Sequence, residues 1–370
     1  MTKPVTRRLA GGVLILCLAA LTGVALWKTS SPPSPSSVQV LVSHPQGVMG
    51  TTCTLVAVIP NPPRRAENPL GEAEIALRRV EALMSTWLTH SEVSRLNRAG
   101  AGEEVALSPE TLLVLDAASS AALDTDGAFD VTCRPVIELW REAAERGSLP
   151  SDAELVNARA ASSWELIELT PSGATKHADS ARVDLGGIAK GYGIDQAIEG
   201  MMAAGVLGAL VDVGGDLRCF GQPPQGSLWL VDVRDPFREG RLVELGVWGA
   251  AVCTSGDYAR FVEIEGRHYS HIIDPRTGQP SEATTSATVV AQTALDADIW
   301  ATALSVLGRE GIERLPSGVE AMLVIGEADA YDMVCTPGFK DMMREPLPVG
   351  LTVEGEASAV TEASPQQPGR

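Results

Sequence analysis

The segment Val183-Asp184-Leu185-Gly186-Gly187-Ile188-Ala189-Lys190-Gly191-Tyr192-Gly193-Ile194-Asp195 joins a carboxylate, a glycine pair and a lysine at what reads as a strand-to-helix turn. Such a turn suits a phosphate ligand. Glycines let the backbone approach a bulky anion, the start of the next helix offers unpaired N–H groups, and Lys190 adds a point charge. The spacing matches neither the dinucleotide fingerprint nor a Walker loop, so a tight turn with a solvated lysine stands beside the phosphate reading.

A second cluster runs Thr254-Ser255-Gly256-Asp257-Tyr258 and then Ser270-His271-Ile272-Ile273-Asp274-Pro275-Arg276-Thr277-Gly278-Gln279-Pro280. The chain has five histidines. His271 sits beside a carboxylate and a rigid Pro/Gly turn, which suits a general base titrating near neutral pH; the plainer reading is a hydrogen-bonded structural histidine. A third cluster is Asp298 and Thr302, in an apolar segment free of Gly and Pro from Thr293 to Leu307. On a helix, four residues put the carboxylate and hydroxyl on one face, one turn apart. Two hard oxygens so placed suit Mg²⁺, which fills its octahedron with phosphate oxygens and water, although such a pair is commonly just solvated.

Patterning places these groups. Strands are expected near Gln39–Ser43, Thr52–Ile59, Leu166–Leu169, Ala181–Leu185, Ala209–Val213, Leu228–Val233, Phe261–Ile264 and Ala287–Ala291, and helices over Glu72–Met84, Pro109–Asp124, Asp195–Ala204 and Thr293–Leu307. Hairpin-like strand neighbours with separate helices predict an α+β fold of mixed or antiparallel sheets with flanking helices. That body is one large domain or two lobes around a cleft, rather than a doubly wound parallel sheet.

Together the three clusters resemble, in order and approximate spacing, the ApbE-type FAD:protein FMN transferases. Met49-Gly50-Thr51, Met84-Ser85-Thr86-Trp87 leading into Ser91-Glu92 and Leu96-Asn97, Gly127-Ala128-Phe129-Asp130-Val131-Thr132 ending at Trp140, Val213-Gly214-Gly215-Asp216, and Trp229 through Asp235-Pro236 fit the same template. The resemblance covers Val48 to Gly308. It implies transfer of the FMN part of FAD onto a Thr or Ser hydroxyl of a target flavoprotein, with AMP released. It further implies Mg²⁺ held by Asp298, Thr302 and the Gly187 carbonyl; FAD contacts from Lys190, Asp184 and Ser270; Met49 and Trp87 lining the flavin or adenine pocket; Ala128, Phe129 and Asp130 bordering it; and His271 taking the proton of the attacking hydroxyl. Trp87 stands where relatives often carry tyrosine. That leaves a Mg²⁺-dependent FAD pyrophosphatase as an alternative, and a non-catalytic FAD carrier is a second. Implied partners are membrane-bound flavoprotein subunits of respiratory complexes bearing a Ser/Thr-Gly-Ala-Thr-like motif.

Lys3, Arg7 and Arg8 precede nineteen uncharged residues from Leu9 to Trp27, enough to span a bilayer. The expected order is therefore a membrane anchor or signal segment over 1–28, a Ser/Pro linker over 29–37, the catalytic domain over 38–345 and a disordered tail over 346–370. The positive amino end predicts an inner-membrane protein with its body on the periplasmic side. Cys17 follows Leu16 within the apolar run, a poor context for lipid attachment. The other five cysteines have apolar neighbours and read as buried thiols, without metal-ligand spacing. A net charge of −18, from 47 acidic and 29 basic residues, disfavours nucleic acid as a partner. Ser172-Gly173-Ala174-Thr175 resembles the modified motif of targets, but Pro171 and Gly173 read as a hairpin turn and self-modification is not expected.

Overall fold

The structure is a computed structural model that describes residues 38–63, 68–256 and 261–354. The apolar Leu9–Trp27 segment and its linker lie outside the described residues. Among the described residues no helix is long and apolar enough to cross a membrane.

Nine strands form one sheet whose spatial order follows the chain: β1 (Val38–Ser43), β2 (Cys53–Pro60), β3 (Gly208–Val213), β4 (Asp216–Gly221), β5 (Ala251–Gly256), β6 (Ser286–Ala291), β7 (Glu320–Glu327), β8 (Ala330–Cys335) and β9 (Leu351–Val353). All pairings are antiparallel except β8 with β9. One continuous sheet through the body makes a single α+β domain. Alternation along the strands divides the core. Leu55, Ala57, Val211, Cys253 and Val289 face one apolar cluster, whereas Val58, Leu217, Val252, Val290 and Met322 face another. The first face carries the helices. The second is covered by the hairpin Trp229–Arg234 with Arg241–Val247 and by Phe339. With both faces covered, β6 is buried at all six positions, which explains its unbroken small and apolar run.

Five helices position the site: α1 (Pro69–Met84), α2 (Pro109–Asp124), α3 (Arg134–Arg146), α4 (Ala189–Ala203) and α5 (Ala294–Leu307). Several of their starts are written locally. Asn68 Oδ1 accepts from the Gly71 N–H at 3.2 Å, Ser108 Oγ from Thr111 at 3.3 Å and Thr293 Oγ1 from Asp296 at 3.1 Å. Proline opens both α1 and α2.

Three elements depart most from the sequence expectation. The helix expected from Asp195 begins at Ala189, so Lys190 lies on its first turn and not in the loop before it, because Gly191 and Gly193 mask the helical pattern there. Residues 181–185 are not a strand. The partner of Ile167–Thr170 is Gly173–Lys176, which lies centrally in a three-stranded sheet with Glu104–Ala106. An apolar alternating stretch can satisfy its backbone with side chains instead of a ladder, and here Asn97 does so by bonding both the N–H and the C=O of Val183 at 2.8 Å. The tail, expected to be disordered from 346, instead contributes Leu351–Val353 to the sheet edge beside β8. Its Leu-Thr-Val triplet is strand-forming despite the Pro/Gly-rich flanks. The rest of the tail, from 355, lies outside the described residues.

Candidate active site

Helices α4 and α5 cap each other. No side chain of the preceding residue, Ile188, caps α4. Instead Asp298 of α5 accepts the Gly191 N–H through Oδ2 at 3.0 Å. In return Asp195 of α4 accepts the Ala294 and Leu295 N–H groups at the start of α5, both at 2.9 Å, and pairs with Arg218 at 2.7 Å. Carboxylates at helix N-termini are stabilised by the unpaired amides and by the helix dipole. The exchange requires close approach at Gly191, where a Cβ would lie 2.2 Å from the Ala294 carbonyl oxygen. Gly191→Ala therefore destabilises the protein by about 1–3 kcal/mol or more through overpacking, outweighing the helix-propensity gain of about 1 kcal/mol. Urea unfolding checks this, and an unchanged midpoint contradicts it.

Lys190, on the first turn of α4, lies between two buried carboxylates. It pairs closely with Asp216 and stands 3.4 Å from Asp298. Asp216 and Asp298 are 3% and 2% exposed. Burial alone would lower the lysine, but the carboxylates of Asp216 and Asp298 overcome it and hold the ammonium above its usual range. Asp216 is further fixed by the Thr254 N–H at 3.0 Å. Burial pushes Asp298 up to about 6; Lys190 opposes that rise and Asp216 adds to it.

The sign of that shift gives a measurable consequence. In metal-free protein the folded state holds a proton on Asp298 that the unfolded chain, titrating near 4, has released. This group's stabilising contribution is complete below about pH 4 and is lost as pH rises through about 6. In chelator-treated protein, the stability of the wild type relative to Asp298→Asn falls between pH 4 and 7. A difference that stays flat across that range contradicts the assignment.

Thr302 stands one turn beyond Asp298, as the spacing predicts, and its Oγ1 lies 3.4 Å from Ser255 Oγ at the end of β5. Gly187 faces the same hydroxyl: a Cβ there would lie 3.0 Å from Thr302 Oγ1 and 3.3 Å from Phe129 Cε2. Asp184 shapes this turn by accepting the Gly186 N–H at 2.9 Å while pairing with Arg134 at 2.8 Å. Its own N–H donates to the Val131 carbonyl at 2.7 Å. Asp298, Thr302, Gly187, Lys190, Asp184 and Phe129 thus form one neighbourhood. Met49 adjoins it: it adopts φ +50°, and its Sδ would lie 3.3 Å from a Cβ on Gly193. Non-glycine residues rarely take that left-handed conformation, and it concentrates at functional sites.

The remaining expected residues join through α3. Arg134 holds Asp184 at one end of that helix. Trp140 donates Nε1–H to the Gly278 carbonyl at 2.8 Å and lies 5.3 Å from the Tyr269 ring, fixing the turn after His271. Arg141 stacks 5.5 Å from the ring centre of Trp87, which is 81% exposed. Ser270 accepts the Ile272 N–H at 3.1 Å, and His271 occupies the exposed bend that follows. Ser281 Oγ ties the far end of that segment to the Ser305 carbonyl at 2.7 Å, on α5 beyond Thr302. Ala128 and Phe129 are buried, whereas Asp130 accepts from Thr132 N–H and Oγ1 and borders an open cleft of about 480 Å³. Gly127, Val156, Arg159 and Arg276 also line that cleft, and the Lys190 group lies outside it. Asp257 and Tyr258 fall outside the described residues.

Whether a divalent cation fits can be judged from the donors. Among the described residues no group of three or more His, Cys, Asp or Glu is placed to hold a metal. A single buried carboxylate, a hydroxyl one turn away and the adjoining Gly187 backbone are all hard oxygen donors. Two carboxylates against one ammonium leave a net negative charge in a buried place. This set fits Mg²⁺ with its other positions open to phosphate and water.

Asp216, Asp195 and Ser255 lie within the sequence motifs, yet motif reasoning gives them no role, and it misses Arg134. Asp216 carries no signal beyond an unassigned Gly-Gly-Asp after an apolar strand. Arg134 shows none: its local pair with Glu138 one turn on is an ordinary helix pair, and Asp184 is fifty residues away. All five cysteines among the described residues are free thiols, as expected. Pro171 and Ser172 form the hairpin turn, as expected, but Gly173, Ala174 and Thr175 already belong to its second strand. Gly173 packs where a Cβ would lie 2.2 Å from the Val105 oxygen, and Ala174 is fully buried, so the segment is strand rather than presented acceptor.

The ApbE family model matches residues 49–323. The FAD:protein FMN transferase of Vibrio cholerae serotype O1 is 32% identical over 337 residues, which span 88% of this chain and 98% of that protein. The protein of the same description from Salmonella typhimurium is 29% identical over 342 residues, covering 89% and 96%. Among solved structures, the apo flavinyl transferase ApbE of Pseudomonas stutzeri superposes with a TM-score of 0.72 at 31% identity, covering 82% of this chain and 96% of that one. The flavin transferase ApbE from Vibrio cholerae gives 0.73 at 28% identity, covering 82% and 99%.

Proposed function

The chain belongs to the ApbE family and is an FAD:protein FMN transferase, and on that premise we propose that it joins FMN to a threonine or serine hydroxyl of a target flavoprotein with the help of Mg²⁺. The observation that carries the metal-dependent reading is the buried Asp298 carboxylate, one turn from Thr302 and against the Gly187 turn, in a cluster with one negative charge in excess.

Asp298, Thr302 and the Gly187 carbonyl would hold Mg²⁺, which when bound neutralises charge on the diphosphate oxygens. Lys190, kept protonated by Asp216, supplies a fixed positive charge at the same turn. Asp184 and Arg134 hold the turn in shape. Met49, Trp87, Ala128, Phe129, Asp130 and Ser270 frame the dinucleotide, with the exposed Trp87 ring offering a stacking face for a flavin or adenine. His271 accepts the proton of the attacking hydroxyl. The bond from that oxygen to the FMN phosphorus forms, the bond from the phosphorus to the AMP oxygen breaks, and AMP leaves. Phosphoryl transfer of this kind depends mainly on such positioning and charge compensation.

The acceptor is proposed to carry a Ser/Thr-Gly-Ala-Thr-like motif. The Leu9–Trp27 segment is proposed to anchor the enzyme in the inner membrane with its body on the periplasmic side, where membrane-bound flavoprotein subunits are within reach. Protease access in spheroplasts tests the second point, and a protected catalytic body would refute it. For the chemistry, an acceptor domain and its Thr→Val variant at the motif are incubated with enzyme and FAD, with Mg²⁺ or with chelator. Flavin linkage is expected only with the hydroxyl and Mg²⁺ both present. Linkage to the valine variant, or unimpaired linkage after chelation, would overturn the proposal.

A further inference from the structure

Lys176 is completely buried in the central strand of the small sheet. Its Nζ donates to two main-chain carbonyls, Asn97 O at 3.0 Å and Ala181 O at 3.1 Å. Burying an ammonium is costly unless it is well bonded, and an apolar side chain fills a core with no such penalty. What distinguishes the position is where its bonds converge. Asn97 uses its side chain to bond the N–H and C=O of Val183, and Asp184 N–H bonds the Val131 carbonyl. Residues 181–184 thus have no strand partner and are held by Lys176, Asn97 and Val131. The next three residues form the turn in which Asp184 bonds Gly186 and Gly187 faces Thr302.

We propose that Lys176 is a positioning residue for flavin transfer. Together with Asn97 it clamps the main chain of residues 181–184 and thereby fixes the Asp184–Gly187 turn that meets the FAD diphosphate and its metal. The inference rests on the function proposed above, and the clamp itself is measurable without it. Lys176→Met keeps the length and apolar stem of the side chain but removes the donor that ties the Asn97 carbonyl to the Ala181 carbonyl, leaving Asn97 O unbonded and Ala181 O with only the local Arg182 Nη1 at 2.9 Å, which frees the segment from its anchor.

The test compares the wild type, Lys176→Met, Asn97→Ala and the double variant in the full chain. Hydrogen exchange of the ligand-free proteins is read first. In Lys176→Met, amides of residues 181–188 are expected to exchange at least about tenfold faster while those of α5 are unchanged, since local opening and global unfolding are separable. Transfer kinetics are read second. The half-saturating Mg²⁺ concentration rises by about fivefold or more and kcat falls by at least about tenfold, because small misplacements of a positioned group are costly. The double variant is within about twofold of the worse single variant, as expected for two residues acting on one segment. Faster exchange throughout the protein, α5 included, would make Lys176 a core residue only and overturn the proposal. So would local loosening with unchanged Mg²⁺ dependence and kcat. Should Lys176→Met not fold, Lys176→Gln, which keeps one amide donor group, is expected to show the same changes in smaller degree; failure of both to fold would also overturn it. If wild type gives no flavin-linked acceptor while the exchange result holds, the functional reading fails and the clamp stands.

Discussion

Asp298→Asn eliminates flavin transfer, lowering the rate at saturating FAD by at least about a thousandfold, while the protein stays folded. Loss of a group that fixes charge stabilisation at a transferring phosphoryl centre has effects of that order. The fold survives because the amide oxygen of asparagine still accepts the Gly191 N–H that caps α4. Burial already disfavours the Asp298 charge, so removing it relieves a cost in metal-free protein. What disappears is the anionic oxygen needed by a dication: with Lys190 and Asp216 left as a neutral pair, the excess negative charge is gone. Steady-state kinetics with circular dichroism decide the matter. A folded variant retaining more than about a tenth of wild-type activity would show that Asp298 is a cap and nothing more.

Lys190→Met has the largest expected effect on stability. It leaves Asp216 and Asp298, both nearly inaccessible, facing each other without the ammonium that separates them. Breaking a buried ion pair by removing one partner costs about 3–5 kcal/mol, because the other charge is left desolvated. The pH dependence has the same origin. With the ammonium that opposed it gone, the Asp298 carboxyl is held still further above its unfolded value, the folded variant binds more protons than the unfolded chain, and stability returns as pH falls. Mg²⁺ should restore part of the loss at pH 8 by supplying the missing positive charge. Urea unfolding at pH 8 and pH 5.5, with and without Mg²⁺, reads all three effects. A loss under about 1 kcal/mol at pH 8 would mean that water reaches the pair and that the cluster is solvated like a surface bridge.

Helical spacing alone puts Asp298 and Thr302 on one face, and α5 realises it because the segment has no residue that would break a helix. The glycine-rich turn before Lys190 is equally legible, since glycine pairs mark a turn; the helix beyond it is legible only from Asp195, because Gly191 and Gly193 mask the first turn that starts at Ala189. Reciprocal capping by Asp195 and Asp298 is not legible. A cap normally precedes its helix by one residue, whereas here each comes from the other helix, about a hundred residues away. Residues 181–185 read as a strand because an apolar alternation reports burial on one face and not the identity of the hydrogen-bond partner. Asn97 and Lys176 replace the missing strand, and neither carries a periodic signal. Leu351–Val353 is hidden by its Pro/Gly-rich flanks. It joins the sheet because β8 leaves an open edge for three residues of parallel pairing. In the site itself the chemistry-bearing side chains are readable by type and spacing. The supports, Arg134, Asp216 and Trp140, reach across from distant elements and become visible only in three dimensions.

The most direct test of flavin transfer is the intact mass of an acceptor domain bearing the Ser/Thr-Gly-Ala-Thr motif after incubation with the enzyme, FAD and Mg²⁺, read together with the nucleotide products. The acceptor is expected to gain one phosphoester-linked FMN for each AMP released, and both signals vanish in His271→Ala and Asp298→Asn. AMP and free FMN with no gain in acceptor mass, or FAD recovered intact, would contradict flavin transfer by this chain.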